Sequence, residues 1–293
     1  MRKNSILTEY NTVAVDKTEP IIIASFLLPY EVERDKRSGE LNIQRCFHNP
    51  TLLYGTLESM MSKKHYNFKW VGIISTLEDV SEQEKEQLEA KFNQMNAYPI
   101  FMTAEELKPY LNFYENILRP LFHNFKDLYD MKNESLIYWK DFCDVNKKVA
   151  DKIVELKNKL GTKNQTIWIH NNHLVMVPLY VKKQYEEANI GLYFHSPFPS
   201  SAHYRINKYR FEILKSLMHC DLVAFHLFMY ARNFFKTVNR LLGYDLEFMR
   251  GGSFGINFHG KIVMIRVSHI GIEEDFLKEL TSSKRFLTMS KLF

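Results

Sequence analysis

The chain has 293 residues, 39 Lys+Arg against 34 Asp+Glu for a formal net charge of +5, with 45% hydrophobic and 25% charged residues. These values fit a globular protein with an ample core and exclude a disordered, collagenous or coiled-coil chain. Basic and acidic residues interleave, so the surface is mixed and no nucleic-acid partner is expected. No apolar run approaches the roughly 20 residues that span a bilayer, so no membrane partner is expected either. Cys46, Cys143 and Cys220 are an odd count at wide spacing, which fits reduced thiols better than a disulfide framework or a zinc cage. The first residues carry Glu9 and Asp16 and no long apolar core, a poor secretory signal, so the expected compartment is the cytoplasm. Glycine is scarce at 11 residues, which leaves few backbone loops able to wrap closely around phosphates.

In chain order, Ile21 to Leu28 is an apolar, β-branched run that reads as a buried strand leaving its sheet at Pro29. Trp70 to Ser75 is a second strand, and Ser81 to Glu84 spells a capping box for the helix carrying Leu88 and Phe92. Tyr98 to Met102 is a third strand, followed at once by a second capping box, Thr103 to Glu106. Ser135 to Leu160 is the clearest helix, with Tyr138, Phe142, Val145, Val149, Ile153, Leu156 and Leu160 on one stripe and Gly161 as its stop. Strands at Ile167 to His170, Ile190 to His195 and Asp221 to His226 then alternate with helices from about Leu174, around Arg205 to His219, and at Phe228 to Leu242. That alternation with short links predicts an α/β fold: a Rossmann-like parallel sheet with helices on both faces. Gly251 to Gly255 reads as a turn inside a β-hairpin, because Phe254, Ile256 and Phe258 alternate. Lys261 to His269 is a further strand, and an acidic-headed helix is expected near Glu273.

In open parallel sheets ligands sit beyond the carboxyl ends of the strands. Three strands here end in histidine, His170, His195 and His226, with His173 nearby. Imidazole there can serve as acid, base, sugar partner or metal ligand. His170 and His173 lack an accompanying Asp, Glu or Cys, so no metal site is expected, and His226 reads as a structural hydrogen-bonded residue. His195 opens a loop stiffened by Pro197 and Pro199, with Ser200 and Ser201 suited to cap the next helix. Tyr110 to His123 mixes aromatics with polar groups and Arg119. It either lines a sugar or phosphate pocket or packs as an aromatic-rich helix, and composition leaves both open.

Trp168-Ile-His-Asn-Asn-His-Leu174 resembles the WVHDYHL motif of the trehalose-6-phosphate synthases, glycosyltransferase family 20. Gly191 to Ser201 resembles that family's GFFLHIPFPSS. Arg210 to Leu214, Asp221 to His226, Tyr230 to Arg232, Pro120 to His123, Val145-Asn146, Trp70 to Gly72 and Ile270 to Ile272 resemble further family motifs. The resemblance implies the GT-B fold, of which this chain would be the amino-terminal half. It implies glucosyl transfer from UDP-glucose to glucose-6-phosphate in trehalose biosynthesis, without a metal or other cofactor. It gives residues 1–20 as an extension, 21–272 as the synthase-like domain and 273–293 as a tail. His195 would be the catalytic histidine reaching the transferred glucose, and Tyr110 would contact the acceptor phosphate.

Departures accompany it. Asn171 stands where the family has Asp, Arg119 where it has Trp, Leu27 where it has a phosphate-binding Arg, and His48-Asn-Pro50 where it has a Gly-Gly loop. The resemblance stops where a donor-binding half would begin. With a carboxylate, a cation and the nucleotide half lost together, catalysis by these residues alone is not expected. Asn171 and Arg119 remain candidate substrate contacts. The alternative role is a non-catalytic regulatory or structural subunit of a trehalose synthase complex, with an exposed apolar patch where a second half would dock.

Overall fold

The β-branched run from Ile21 becomes a central strand, β1 (Ile21–Leu27), of the sheet around which the molecule is built. The computed structural model describes residues 19–45, 66–76, 80–125, 135–162, 165–249 and 254–269, together with 57, 60, 271, 278, 281 and 282. Among these, β2 (Tyr30–Arg34) and β3 (Leu41–Arg45) form a separate antiparallel ribbon. The remaining strands are β4 (Phe68–Thr76), β5 (Ala97–Thr103), β6 (Thr166–His170), β7 (Asn189–Phe194), β8 (Leu222–Phe225), β9 (Leu246–Phe248), β10 (Phe254–Phe258) and β11 (Lys261–Val267). They join β1 in a nine-stranded sheet of order β5-β4-β1-β6-β7-β8-β11-β10-β9. Pairing is parallel from β5 to β11 and antiparallel for β10 and β9.

The expected parallel sheet is therefore mixed at one edge, because tight links replace helical crossovers there. His259 and Gly260, both at positive φ (53° and 88°), make a two-residue turn between β10 and β11. β9 and β10, on either side of residues 249–253, also pair antiparallel with Phe248 opposite Phe254, as the hairpin expected around Gly251 to Gly255 requires. Gly251 and Gly252, like Cys46, His48 to Pro50 and the helix expected near Glu273, lie outside the described residues.

The helices are α1 (Glu82–Gln94), α2 (Ala104–Phe113), a π-helical turn (Tyr114–Leu118), α3 (Arg119–His123), α4 (Trp139–Leu160), α5 (Val177–Gln184), α6 (Ser201–Tyr204), α7 (Arg210–Leu217) and α8 (Phe228–Leu242). Both capping boxes form: Ser81 and Thr103 accept from the backbone of Glu84 and Glu106, whose carboxylates return to the cap N–H groups. Gly161 closes α4 at φ 67°. The single helix expected around Arg205 to His219 is broken. Asn207, fully buried, turns its Oδ1 onto the Tyr209 N–H at 3.1 Å and interrupts the ladder between α6 and α7. Glu33 and Arg34 end β2, and Asp35, exposed like Lys36 and Arg37 after it, accepts from the Arg37 and Ser38 N–H groups in the turn to β3.

Period-two alternation divides the core into two faces. Ile22, Ala24, Ile167, Ile169, Ile190, Leu192, Phe194, Val223 and Phe225 point to the larger face, packed with α2, α4, α5, α7 and α8. Ile21, Ile23, Trp70 and Ile74 point to the smaller one, with Leu88 and Phe92 of α1 and Val32 and Leu41 of the ribbon. The opposite parity carries Trp168, His170, Tyr193 and Ala224 to that smaller face, side by side in register.

Candidate functional site

Beyond the carboxyl ends of β6, β7 and β8 the strand-end histidines come together. His170 Nδ1 lies 2.9 Å from His195 Nε2. The rings of His195 and His226 stand 5.6 Å apart, with Tyr193 4.7 Å from His195 and 5.0 Å from His226. The Tyr193 hydroxyl donates to the Ser268 carbonyl, just past β11, and touches His226 Nδ1 at 3.0 Å. Burial lowers the pKa of all three imidazoles: His195 to about 4, helped by the charge of His226, and His170 far below its usual value, helped by His195. They are neutral at pH 7, hydrogen-bonding groups rather than cations. Among the described residues no group of three or more His, Cys, Asp or Glu side chains could hold a metal ion.

A second arrangement lies across His170, where the loop after β6 meets the π-helical turn. Five rings stack in a column: Phe142 on Tyr110 (5.1 Å), Tyr110 on Phe26 (4.8 Å), Phe26 on His173 (5.0 Å) and His173 on Tyr114 (3.8 Å). They come from α4, α2, β1, the β6 loop and the π-helical turn. Tyr110 is fully buried, and its hydroxyl donates to the His173 carbonyl at 2.9 Å. Tyr114 donates to Asn172 Oδ1 at 3.1 Å. Buried Asn146 bridges Phe142 O, His173 O and the Met176 N–H. Burial between aromatics, with smaller contributions from Arg119 and His123, brings the His173 pKa to about 3.

The sequence candidates are thus placed unequally. His195 stands at the strand ends with its neighbours fixed. Tyr110 turns inward and spends its hydroxyl on the protein. Arg119 is half exposed and bound to Glu115 at 2.5 Å. Asn171, at φ 70°, sets its Nδ2 3.5 Å from His173 Nδ1 and leaves a buried Oδ1 without a partner. Tyr193 and the ring column were not singled out from sequence, and Asn146 only as part of the Val145-Asn146 match, with no role given to it. The alternation within Gly191 to His195, which puts Tyr193 beside His195, was the available signal for the first. At the lip beyond His226, Leu227 (40%), Phe228 (63%) and Met229 (51%) are exposed, and Phe228 touches Phe254 edge-on, an apolar patch of the expected kind.

The family model for glycosyltransferase family 20 matches residues 19–292. Probable alpha,alpha-trehalose-phosphate synthase (UDP-forming) 9 of Arabidopsis thaliana is 32% identical over 272 residues, covering 90% of this chain and 30% of the plant protein. The 56 kDa subunit of the Saccharomyces cerevisiae alpha,alpha-trehalose-phosphate synthase is 32% identical over 285 residues, 93% of this chain and 54% of the yeast protein. The fold matches the Candida albicans trehalose-6-phosphate phosphatase N-terminal domain with a TM-score of 0.72 at 20% identity, over 93% of this chain and 53% of that one. It matches the Burkholderia xenovorans synthase solved with glucose-6-phosphate with a TM-score of 0.66 at 18% identity, over 93% and 55%. The chain spans about half the length, or less, of the proteins it matches.

Proposed function

The chain belongs to glycosyltransferase family 20, and from that premise we propose that it is a synthase-like wall that does not transfer glucose by itself and serves as a non-catalytic companion of a trehalose-6-phosphate synthase. The relatives' names carry the UDP-forming activity, and one solved neighbour holds glucose-6-phosphate. Residues 21–272 are read as the domain and the cytoplasm as its place of work.

The observation that carries this reading is the ring column. A phosphosugar needs open volume and unpaired donors or cations. Here Phe26, Tyr110, His173 and Tyr114 fill the space between β1 and the β6 loop with one another, and the Tyr110 hydroxyl is already used. Arg119 is held outward by Glu115. Leu27 offers no charge, and Asn171 no carboxylate. Transfer chemistry rests on charges aimed at the reacting atoms, and function follows such a site rather than the fold. The same fold also occurs in a protein named as a phosphatase domain. The apolar lip at Leu227 to Met229 supports docking of a partner.

The test is release of UDP from UDP-glucose and glucose-6-phosphate by the purified chain, alone and with a family synthase from the same cells. No turnover alone, with co-purification of the synthase, is expected. Turnover by the chain alone overturns the reading. A second reading, that this wall completes an active enzyme with a donor-binding half supplied elsewhere, is favoured by the intact pair His195 and His226. Restored turnover on adding such a half would establish it.

A further inference from the structure

Acidic and basic residues interleave along most of the chain, but one stretch departs from that pattern. From Ser200 to Gly243 seven Lys and Arg stand against Glu212 and Asp221, a surplus equal to the formal charge of the entire protein. Asp221 is taken by Lys261 at 2.8 Å. Helix α8 carries three of these cations and no acid. Phe228, Arg232, Lys236 and Arg240 recur every fourth residue and so form one row, about 18 Å long. Ala231, Phe234, Thr237 and Val238 on the other side are buried, while the row is exposed. Arg240 donates to Ser201 Oγ at 2.8 Å, but among the described residues no carboxylate pairs with it, with Arg232 or with Lys236. On α1 and α4, by contrast, Lys85 is paired with Glu82, Lys152 with Glu89 and Lys159 with Glu155. Like charges one helical turn apart repel, so an anionic neighbour would relieve the row on α8. At the amino end of the row the surface turns apolar. Phe228 meets Phe254 edge-on at 6.3 Å, and Phe254 lies opposite Phe248 of β9, which is 81% exposed.

We propose that the outer face of α8 is the docking surface for an acidic amphipathic helix of a partner protein, with carboxylates against Arg232, Lys236 and Arg240 and apolar side chains against Leu227, Phe228, Met229 and Phe248. The cations repeat once per turn, at the spacing of about 6 Å that separates i and i+4 side chains on a second helix, so a carboxylate row can run along them. The apolar end supplies the contact area that exposed ion pairs lack. A bilayer matches this face less well. Interfacial helices sink an apolar side along their length, and that side of α8 is already spent on the core. A nucleic acid would answer the cations and leave the apolar end uncovered. The proposal deepens the companion reading and rests on it for the partner being a protein, because it names what that partner brings to the lip beyond His226.

The experiment is fluorescence anisotropy of a labelled helical peptide, with Glu at every fourth position and a Leu pair at one end, titrated with the whole chain. Saturable binding that weakens with added salt is expected. Arg232→Ala with Lys236→Ala should weaken it about tenfold, the scale of two exposed ion pairs. Phe228→Ala should weaken it by a similar factor. All three residues are exposed, so the variants should keep the fold, which circular dichroism checks. Lys147→Ala with Lys148→Ala, exposed on α4, removes the same charge elsewhere and should leave binding unchanged. No binding of the peptide, or an equal loss in the α4 variant, overturns the proposal. So does tighter α8-dependent binding to phosphatidylserine vesicles or to a single-stranded oligonucleotide, or α8-dependent self-association in sedimentation. UDP release by the chain alone would sink the companion reading without touching the peptide result. A co-purifying synthase with no peptide binding would sink this proposal and leave that reading standing, so the two fail separately.

Discussion

Phe26 lies ring on ring against the His173 imidazole, centroids 5.0 Å apart and planes 13° from parallel. Phe26 lies near the end of β1 and His173 in the loop after β6, so the stack ties together two segments far apart in the chain. The same Phe26 stacks on Tyr110, which places it in the middle of the column.

Removing that ring should loosen the column. Phe26→Ala is expected to lower the unfolding free energy by about 2–3 kcal/mol, below the cost of a fully buried Phe because Phe26 is half-buried. It should also raise the His173 pKa toward that of a solvated imidazole. Denaturant unfolding and histidine NMR titration read the two effects. A change under about 0.5 kcal/mol would show that the stack contributes little.

Arg119→Ala should be nearly silent. The Arg119–Glu115 pair is half exposed, and such pairs are worth about 0–1 kcal/mol. Calorimetry with glucose-6-phosphate should show no heat for either the unaltered chain or the variant. Heat that the substitution abolishes would restore Arg119 to phosphate binding.

Gly72→Ala tests how β1 leaves the sheet. A Cβ at Gly72 would stand 3.0 Å from both Leu28 N and Ser25 O and 3.1 Å from Leu27 C, all backbone atoms at the register shift of β1. No rotamer change relieves that crowding. A loss of about 1–3 kcal/mol in denaturant unfolding is expected, with disturbed Phe26 ring signals by NMR. An unchanged midpoint would refute the close approach.

Acid should destabilise the fold through the buried histidines. His173 and His195 have folded pKa values of about 3 and 4 against an ordinary 6.5, so between pH 6.5 and 4.5 the unfolded chain binds protons that the folded chain refuses. Stability therefore falls as pH drops through that window, by about 1.4 kcal/mol per pH unit for each group. Glu84, with a folded pKa of about 2, is depressed in the other sense. Its contribution is present above the ordinary 4.5 and is lost only at lower pH, outside this window. Urea midpoints at pH 6.5, 5.5 and 4.5 measure the slope, and a flat profile would refute the neutral, buried state.

The sheet was largely legible because β-branched runs, capping boxes and a clean 3.6-residue stripe each have a local cause. The strand-end histidines were legible for the same reason, since period two fixes their face once the strand is known. Tyr110 was not. A tyrosine in an aromatic-rich helix points inward or outward according to its neighbours, and its stacking partners Phe26 and Phe142 lie far away in the chain. The break at Asn207 was missed because helical spacing continues across it, and only the turned side chain shows the interruption. The Tyr193 hydroxyl bonds to a carbonyl contributed by Ser268, a contact that no sequence pattern announces.

Both borders of the large sheet are poor templates for additional chains. At one end β5 carries Pro99, which has no N–H to offer, and Glu89 and Lys152, from helices on opposite faces, meet beside it at 2.6 Å. At the other end β9 is only three residues long. Strand-on-strand aggregation is blunted at each margin, which turns any self-association of this protein toward side-chain surfaces rather than backbone.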